Sequence, residues 1–280
     1  MSAARGGSAA GTAGGVLLVG CGKMGGALLE GWLERGVAPS FAVVEPGTGA
    51  AAFAQRREVR LYQNAVTLDL DLRPAVVVFA VKPQAMSDVV HHYRRFATPE
   101  TVFLSIAAGK TLAYFSRQLG AEAAIIRAMP NTPAAIGRGI TVGCPNPHAS
   151  AAQIALCDRL LAAAGEVAWV DDEALIDAVT AVSGSGPAYV FLLIECLAKA
   201  GITAGLPVEL AMRLARATVS GAGELARLSS EPAEVLRQNV TSPGGTTRAA
   251  LDVLMAPDGL EALMTKAVAA AAARSRALAE

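Results

Sequence analysis

Apolar residues follow two different patterns in the two halves of the chain. In the first half, short runs rich in β-branched residues alternate with stretches of helical periodicity, which is typical of a parallel α/β sheet. The runs are almost continuously apolar, as expected when helices cover both faces of the sheet. We predict strands over residues 16–19, 41–44, 75–80, 102–105, 124–127, 140–143 and 167–170, with helices over 24–35, 84–95 and 151–163.

The strand pattern ends near Asp171, and the rest of the chain shows only helical periodicity. Gly201, Gly205 and Pro207 mark a turn between the first two helices of this half. We predict helices over residues 188–204, 207–228, 231–238, 247–255 and 260–278. The predicted organisation is a short extension over 1–14, a nucleotide-type α/β domain over 15–170 and an all-helical domain over 171–280.

Composition and charge exclude several classes of function. Hydrophobic residues make up 53% of the 280 positions and charged residues 17%, which argues against disorder. The formal net charge is zero, so nothing favours a nucleic-acid partner. No run of about 18 apolar residues is free of charges or of Gly/Pro breaks, and we therefore expect no membrane span.

Two further features bear on the compartment. The first fourteen residues are small and lack the apolar core of a secretory signal. The four cysteines are scattered, without a C-x-x-C motif or a Cys/His pair, and they are Cys21, Cys144, Cys157 and Cys196. We therefore expect a reduced, cytoplasmic protein without a metal site.

A glycine-rich segment follows the first predicted strand and opens the first predicted helix. Gly20, Gly22 and Gly25 give the spacing G-x-G-x-x-G, with Lys23 and Met24 between the last two. The first glycine suits a tight turn, the second lets a pyrophosphate approach the backbone, and the third brings helix and strand together. Chance glycines in a turn would give the same letters, but the strand before and the helix after favour a dinucleotide site.

An acidic residue ends the second predicted strand. Glu45 lies twenty residues beyond Gly25, where a carboxylate suits the ribose 2′-hydroxyl of NAD and repels the 2′-phosphate of NADP. Arg56 and Arg57 are a helix away and are expected in solvent. The cofactor is therefore NADPH or NADH, with a preference for NADH from Glu45. The alternative is that Glu45 simply points into water.

Two more loops leave the predicted sheet at the carboxyl ends of strands, where ligands of open parallel sheets bind. Val81-Lys82-Pro83 forms one, and residues 105–109 form the other. Lys82 suits a phosphate or ribose of the cofactor, and a solvated lysine is an alternative of equal weight.

The chain is poor in groups that serve as general acids. His91 and His92 share a predicted amphipathic helix, and His148 lies in a loop beside prolines. Dehydrogenases that act on a hydroxyl group need such an acid or base. A C=N bond can be protonated beforehand, so its reduction mainly requires positioning and a hydroxyl near the nitrogen.

Two hydroxyl-rich glycine loops in the second half could supply that positioning. They are residues 183–189, which include Ser185, and residues 241–247, and each opens a predicted helix. Backbone N–H groups at such helix starts can hold a small carboxylate. Ordinary N-capping by Ser or Thr would explain either loop alone. The presence of two loops of one kind favours a site.

With these residues in view, the chain resembles the pyrroline-5-carboxylate reductases from about Val16 to its last helix. The glycine loop is shared with many dehydrogenases, whereas the last two motifs in this order are specific. The motifs are the Gly20–Ala27 segment, Ala80-Val81-Lys82-Pro83, Ser105-Ile106-Ala107-Ala108-Gly109, Arg127-Ala128-Met129-Pro130-Asn131-Thr132-Pro133, Ser183–Tyr189 and Ser242-Pro243-Gly244-Gly245-Thr246-Thr247.

The resemblance implies hydride transfer from NAD(P)H to the C=N bond of 1-pyrroline-5-carboxylate, giving proline. It implies a Rossmann-type N-terminal domain and a helical domain that pairs with a second subunit, in dimers that commonly form larger rings such as a decamer. The active site would lie at the dimer interface.

The resemblance also implies roles for particular residues. Thr247 would hydrogen-bond to the imine nitrogen, and the backbone of Ser242, Gly244, Gly245 and Thr246 would bind the substrate carboxylate. Asn239 and Val240 would lie nearby, and Ser185 belongs to the other loop expected at the substrate. The cofactor cleft would be lined by Asn64, Ala80, Val81, Lys82, Pro83, Ala107, Ala108, Gly109, Met129, Pro130, Asn131 and Thr132.

The sequence departs from the family pattern at two of these places. Glu45 stands where members that prefer NADP tend to carry small or basic residues, which puts the usual phosphate contact in doubt. Arg248 follows Thr247 where an aliphatic residue is expected.

Two other readings remain open. A β-hydroxyacid dehydrogenase resembling 6-phosphogluconate dehydrogenase would carry a catalytic lysine on the first long helix after the sheet domain, where Lys199 stands. The 242–247 loop has no role in that scheme. A non-catalytic regulator that binds a dinucleotide is the second alternative, since a fold can persist after catalysis is lost.

Overall fold

One sheet of eight strands organises the first part of the computed structural model, which describes residues 14–279. The strand order is β3-β2-β1-β4-β5-β6-β7-β8. The chain order reverses between β1 and β4, which gives the sheet a topological switch point beside the glycine loop. The strands are β1 (Val16–Val19), β2 (Phe41–Val44), β3 (Val59–Tyr62), β4 (Val76–Phe79), β5 (Val102–Ser105), β6 (Ala124–Met129), β7 (Gly139–Pro145) and β8 (Gly165–Trp169).

The sheet is parallel except at one pairing. β7 runs antiparallel to β6, with Arg127 opposite Cys144, and β8 is parallel to β7. The parallel α/β sheet predicted from the sequence is confirmed apart from this one pairing, which the apolar pattern did not indicate. The apolar pattern of residues 140–143 fits either direction, because strand direction is set by the connection. Only a 3₁₀ turn, Thr132–Ile136, joins β6 to β7, too short for the crossover that a parallel pair requires.

Helices cover both faces of the sheet and form one core on each face. Alternate residues of β1 divide between them: Leu18 packs into the core with Trp32, and Leu17 into the core with Phe115. The helices are α1 (Lys23–Arg35), α2 (Met86–Val89), α3 (Leu112–Leu119), α4 (Ala151–Ala162), α5 (Leu175–Val179), α6 (Gly186–Thr203), α7 (Val208–Leu228), α8 (Ala233–Asn239), α9 (Thr246–Leu254) and α10 (Leu260–Leu278).

Four elements differ from the sequence prediction. β3, α3 and α5 were not predicted: β3 is the edge strand, and Arg60 interrupts its apolar pattern. The helix predicted over 84–95 is mostly 3₁₀, with α2 followed by a 3₁₀ segment, Val90–Phe96. Consecutive β-branched valines and a histidine pair lower the α-helical propensity of this segment.

The described residues divide into two compact units. The first contains residues up to Gly184 together with 273–279, and the second is Ser185–Ala272. The boundary between these compact units lies after α5. The reason is that Ile176 is buried with Val142 and Cys144, which ties α5 to the sheet.

The helical unit exposes much of its apolar surface. All of its buried residues are alanines, namely Ala198, Ala211, Ala215 and Ala272. One helical stretch of the described chain, Leu175–Thr203, is long and apolar enough to cross a membrane by length and composition. Such a stretch also suits a helix that is covered by another subunit.

Candidate functional site

The glycine loop joins β1 to α1 and depends on all three of its glycines. Gly20 has φ +90°, and a Cβ there would lie 2.9 Å from the carbonyl oxygen of Ala80. A Cβ on Gly25 would lie within 2.5 Å of the Gly20 carbonyl oxygen, so helix and loop touch backbone to backbone. A Cβ on Gly22 would meet nothing within 4 Å. Gly22 therefore leaves open space at the start of α1.

Glu45 holds the glycine loop to the end of β2. One carboxylate oxygen accepts a hydrogen bond from the Cys21 N–H at 2.7 Å, and the other accepts one from the Gly47 N–H at 2.9 Å. Burial, together with the nearby Glu45 charge, raises the pKa of the Cys21 thiol to about 11. Glu45 is half-buried, and two backbone amides fix its carboxylate in place. The sequence alternative in which it only points into water is wrong.

A cavity of about 600 Å³ opens at the carboxyl ends of the first parallel strands. The predicted cofactor residues that line it are Gly20, Gly22, Glu45, Asn64, Ala80, Val81 and Lys82. Asp88 and His92 also line it, whereas Arg56 and Arg57 do not. His92 is exposed, and the ring of its neighbour His91 lies 4.0 Å from its ring between centroids, tilted by 42°. The titratable side chains named here in the lining of the cavity are therefore one lysine, one histidine and two carboxylates.

Asn64 and Lys82 reach this cavity from two strand ends. Asn64 follows β3 and caps the next 3₁₀ turn, because its Oδ1 accepts from the N–H groups of Val66 and Thr67. This leaves the side-chain amide of Asn64 to donate toward a ligand. Lys82 follows β4 and precedes Pro83, which starts another 3₁₀ turn.

The remaining predicted cofactor residues do not line the cavity. Ala107, Ala108 and Gly109 leave β5, and Pro130 and Asn131 leave β6, at the same edge of the sheet. Asn131 Oδ1 accepts from the Ile140 N–H at 3.0 Å and so fixes the start of β7. Lys23 is exposed on the first turn of α1, Met24 is half-buried there, and Pro83 lies beyond the lining residue Lys82.

This geometry fits a dinucleotide. Gly22 leaves room for a pyrophosphate at the start of α1, whose amides attract an anion. The cavity beside Glu45 and Asn64 has the size and lining expected for the adenosine part. The carboxyl ends of β5 and β6, which carry Ala107 and Asn131, lie on the other side of the switch point, where the nicotinamide part would extend.

A buried ion pair close to this edge was missed by sequence reasoning. Arg127 of β6 is 4% exposed and donates to Glu173 Oε1 at 2.8 Å. The same oxygen accepts from the N–H of Leu112 at the start of α3 at 2.9 Å. An arginine inside an otherwise apolar strand is the one signal in the sequence, because a buried charge needs a partner. The partner itself, 46 residues away, leaves no local pattern.

The 241–247 loop lies in the helical unit. Gly244 has φ +68°, which favours glycine, and a Cβ on Gly245 would lie 2.5 Å from Ser242 Oγ, so a side chain at 245 would displace that hydroxyl. α9 starts at Thr246 with Gly245 as its N-cap and without a side-chain cap. Thr247 is half-buried in the first turn. The alternative of N-capping by Ser or Thr is therefore wrong for this loop, and the amides at the start of α9 are available to a carboxylate.

The other predicted substrate residues are also in the helical unit. Val240 is 65% exposed at the end of α8. Ser185 precedes α6 and makes no side-chain cap there. Just before it, Thr180–Gly184 forms a π-turn, in which the Ser183 hydroxyl is buried without a hydrogen-bond partner in the described chain. π-turns occur frequently at functional sites.

Comparisons with known proteins agree with both units. The family model "NADP oxidoreductase coenzyme F420-dependent" matches residues 15–109, and the model "Pyrroline-5-carboxylate reductase dimerisation" matches residues 173–278. The pyrroline-5-carboxylate reductase of Pseudomonas aeruginosa is 42% identical over 95% of this chain and 97% of its own length. That of Pisum sativum is 38% identical over 93% and 94%, respectively.

Solved structures give the same result for the fold. A pyrroline-5-carboxylate reductase from Coxiella burnetii matches with a TM-score of 0.87 and 34% identity, covering 95% of this chain and 98% of that one. The Plasmodium falciparum pyrroline carboxylate reductase, solved with NADP bound, matches with a TM-score of 0.79 and 27% identity over 97% and 100% of the two chains. The resemblance stated from the motifs is confirmed, as are the Rossmann-type sheet and the helical dimerisation region, and the chain belongs to the pyrroline-5-carboxylate reductase family.

Proposed function

We propose that this chain reduces the C=N bond of 1-pyrroline-5-carboxylate with a nicotinamide dinucleotide and forms L-proline. The observation that carries the proposal is the open glycine loop, Gly20–Gly22, at the mouth of a cavity of about 600 Å³ lined by Glu45 and Asn64. Family membership over nearly the whole chain supports the same reaction. When bound, the reduced dinucleotide supplies the hydride.

The residues of the first unit bind and orient this cofactor. The amides at the start of α1 hold the pyrophosphate, and Lys82 supplies a positive charge beside it. Asn64 donates its side-chain amide to the ribose or phosphate. Ala107 and Asn131, with their neighbours Ala108, Gly109 and Pro130, border the nicotinamide end. Precise orientation is the main requirement, because the electrophile is already electron-poor.

The residues of the helical unit bind the substrate. The backbone of Ser242, Gly244, Gly245 and Thr246 holds the substrate carboxylate at the uncapped start of α9. The Gly245 N–H donates to the Ser242 carbonyl at 3.1 Å and so shapes the turn, which leaves the other amides to donate to the carboxylate. The Thr247 hydroxyl hydrogen-bonds to the ring nitrogen and stabilises the proton that this atom carries in the product. Ser185 and Val240 contact the substrate ring.

NADH is the proposed physiological cofactor. Glu45 is fixed by two amide hydrogen bonds, so it cannot turn away from a 2′-phosphate without losing them. Such a phosphate would therefore meet a fixed negative charge, whereas the 2′-hydroxyl of NADH could donate to it. Neither Arg56 nor Arg57 lines the cavity to compensate.

The helical unit makes the homo-oligomer. Its match to the dimerisation model includes α6, whose apolar side chains Val190, Phe191 and Leu192 are about half exposed in one chain. We propose that a second subunit, and not a lipid bilayer, covers them, and that dimers assemble into a larger ring such as a decamer. The only other partner that we propose is the small-molecule substrate, and we propose no nucleic-acid contact. We place the protein in the cytoplasm. Residues 15–170 are proposed as the dinucleotide domain, and residues 171–280 as the dimerisation and substrate domain.

Replacing Thr247 tests the substrate assignment. Thr247→Val removes the hydroxyl but keeps the shape, and Thr247→Ser keeps the hydroxyl. We expect kcat/KM for 1-pyrroline-5-carboxylate to fall about tenfold or more in Thr247→Val and to stay close to wild type in Thr247→Ser. The nicotinamide absorbance reports the rate. Equal rates in the wild type and in Thr247→Val would show that the Thr247 hydroxyl does not hydrogen-bond to the ring nitrogen during the reaction.

Comparing the two cofactors tests the role of Glu45. We expect a higher kcat/KM with NADH than with NADPH in the wild type. Glu45→Gln should lower the ratio of kcat/KM with NADH to kcat/KM with NADPH by roughly tenfold, because the repulsion between the Glu45 carboxylate and the 2′-phosphate of NADPH disappears. Thermal unfolding of the same variant shows whether the lost Cys21 or Gly47 hydrogen bond has altered the loop. A strong NADPH preference in the wild type would refute the assignment.

The two rival functions predict different results. A hydroxyacid dehydrogenase would reduce NAD⁺ or NADP⁺ with a hydroxyacid and depend on Lys199, which lies on α6. A regulator would bind the dinucleotide without turnover. Oxidation of NADH by the imine in a Lys199→Met variant excludes both.

A further inference from the structure

The end of the last helix belongs to the dinucleotide-binding unit. α10 starts in the helical unit, but residues 273–279 group with the first unit. Ser275 is 7% exposed, and its hydroxyl donates to Asp177 Oδ1 of α5 at 2.6 Å. Neither residue belongs to a motif of the glycine loop or of the substrate loops. We name residues 273–278 the C-terminal turn.

The C-terminal turn also touches a loop of the proposed cofactor site. Gly109 has φ +73°, and a Cβ at this position would lie 2.8 Å from the carbonyl oxygen of Leu278. Two independent constraints therefore require glycine here: the left-handed backbone and the close approach of a second backbone. Gly109 ends the loop Ile106–Gly109, called here the 106–109 loop.

The 106–109 loop is anchored mainly at its start. Ile106 and Ala107 are buried in the two cores of the sheet, the Ile106 N–H donates to the Phe79 carbonyl at 3.1 Å, and the Ala107 N–H donates to Ser105 Oγ at 3.3 Å. The alanine and glycine at the end of the loop, Ala108 and Gly109, have no side chain that could donate a hydrogen bond. The position of this end therefore depends on the elements packed against it.

Those elements form a closed ring of contacts. Glu173 accepts from the N–H of Leu112, three residues after Gly109, and is itself held by Arg127. Four residues after Glu173, Asp177 binds Ser275 of the C-terminal turn. The turn then returns to Gly109 through Leu278. Each contact lies within the first compact unit.

We propose that the C-terminal turn is a positioning element of the cofactor site, which holds the 106–109 loop in place beside the dinucleotide through Ser275, Asp177 and Gly109. The inference rests on the proposed function, because that function places Ala107 and Ala108 at the nicotinamide end. None of these three residues touches the reacting atoms through its own side chain. They act by fixing the backbone that does.

Calorimetric titration with NADH and NADPH tests the inference without relying on turnover. We expect Ser275→Ala to weaken binding of the preferred dinucleotide about three- to tenfold, as for the loss of one buried hydrogen bond. Ser275→Thr, which keeps the hydroxyl, should restore binding to within about twofold. Thr265→Ala is the matched control, because its hydroxyl lies on the same helix and bonds only locally to the Glu261 carbonyl.

Steady-state kinetics separates positioning from general destabilisation. In Ser275→Ala, KM for the dinucleotide should rise as its Kd does, while KM for 1-pyrroline-5-carboxylate stays unchanged. A chain that ends at Arg274 should show the same split, and light scattering should find its oligomer unchanged. Should that chain fail to fold, Ser275→Ala and Asp177→Asn still carry the test.

Two results would overturn the inference. One is wild-type dinucleotide affinity in Ser275→Ala, and the other is an equal rise of both KM values. A wild-type protein that binds a dinucleotide but does not reduce the imine would instead refute the proposed function, and the affinity comparison would still decide the role of the turn.

Discussion

The two compact units bury their apolar residues very differently. In the dinucleotide-binding unit, large side chains such as Trp32, Tyr93, Phe103 and Phe115 are fully buried. In the helical unit only alanines are buried, and Phe191, Leu192, Leu225 and Met255 are more than half exposed. Burial of apolar surface is the main force that stabilises a fold. The first unit therefore completes its core within one chain, and the second does not.

This difference indicates which part of the chain a second subunit has to cover, namely the helical unit. α6 and α7 pack closely because Gly201 and Ala211 are small: a Cβ on Gly201 would lie 3.4 Å from that of Ala211. Their outer faces stay apolar, as in a domain core cut in half, which is the composition of obligate interfaces. The loop 241–247, which we propose binds the substrate, lies in this incomplete unit. Dimerisation and substrate binding are therefore expected to be lost together.

Replacing an exposed apolar residue by a charged one should weaken the dimer when the residue lies in the helical unit, and not when it lies in the first unit. Phe191→Asp should raise the dimer dissociation constant by at least about a hundredfold, because each dimer loses two buried aromatic side chains and gains two buried charges. Reductase activity should fall with it. Light scattering and activity assays at equal chain concentration check both effects.

Leu70→Asp is the matched control for this change. Leu70 is 87% exposed in the first unit, and a charge there should alter neither assembly nor activity. If Phe191→Asp left an active dimer of normal affinity, this part of α6 would lie outside the interface.

Two glycine substitutions should separate folding from cofactor binding within the first unit. Gly25→Ala places a Cβ against the Gly20 backbone and should cost about 1–3 kcal/mol of stability. Gly22→Ala meets no protein atom within 4 Å, and its φ of −72° suits alanine. It should leave the unfolding temperature almost unchanged and weaken dinucleotide binding about tenfold or more, because the methyl group fills the space for the pyrophosphate.

Denaturation midpoints and calorimetric affinities distinguish the two variants. Wild-type affinity in Gly22→Ala would mean that the dinucleotide does not approach the loop at this glycine. A stable Gly25→Ala protein would mean that α1 can shift away from the loop.

The same comparison explains what the sequence could predict. β1 and the glycine loop were predictable, because an apolar run and a fixed glycine spacing are both local signals. β3 was missed, because an edge strand tolerates Arg60 and so loses its apolar pattern. The reversed direction of β7 and the pairing of Arg127 with Glu173 depend on contacts between distant segments. The arrangement of Thr247 relative to the cofactor stays a prediction, because its unit has no complete core in one chain.

The smallest expected effect concerns buried and exposed thiols. Burial raises the pKa of Cys157, in the first unit, to about 12, whereas Cys196, on α6, is exposed. A thiol whose pKa is raised by folding stabilises the folded state fully below its unfolded value, which is 9.0. That contribution is lost as the pH rises from about 9 toward 12, because the unfolded thiol ionises first. At pH 10 the loss should be about 1 kcal/mol.

Urea unfolding at pH 8 and at pH 10 measures this loss as a difference. Cys157→Ala should show a smaller fall in stability between the two pH values than the wild type, although its absolute stability is lower because of the cavity. Cys196→Ser should show the wild-type fall. Using the difference removes the cavity cost, which is the same at both pH values, so only the ionisation of the thiol remains. If the free energy of unfolding fell as much between pH 8 and pH 10 in Cys157→Ala as in the wild type, other groups would cause the loss of stability at high pH. The contrast between the two units would then depend on their apolar side chains alone.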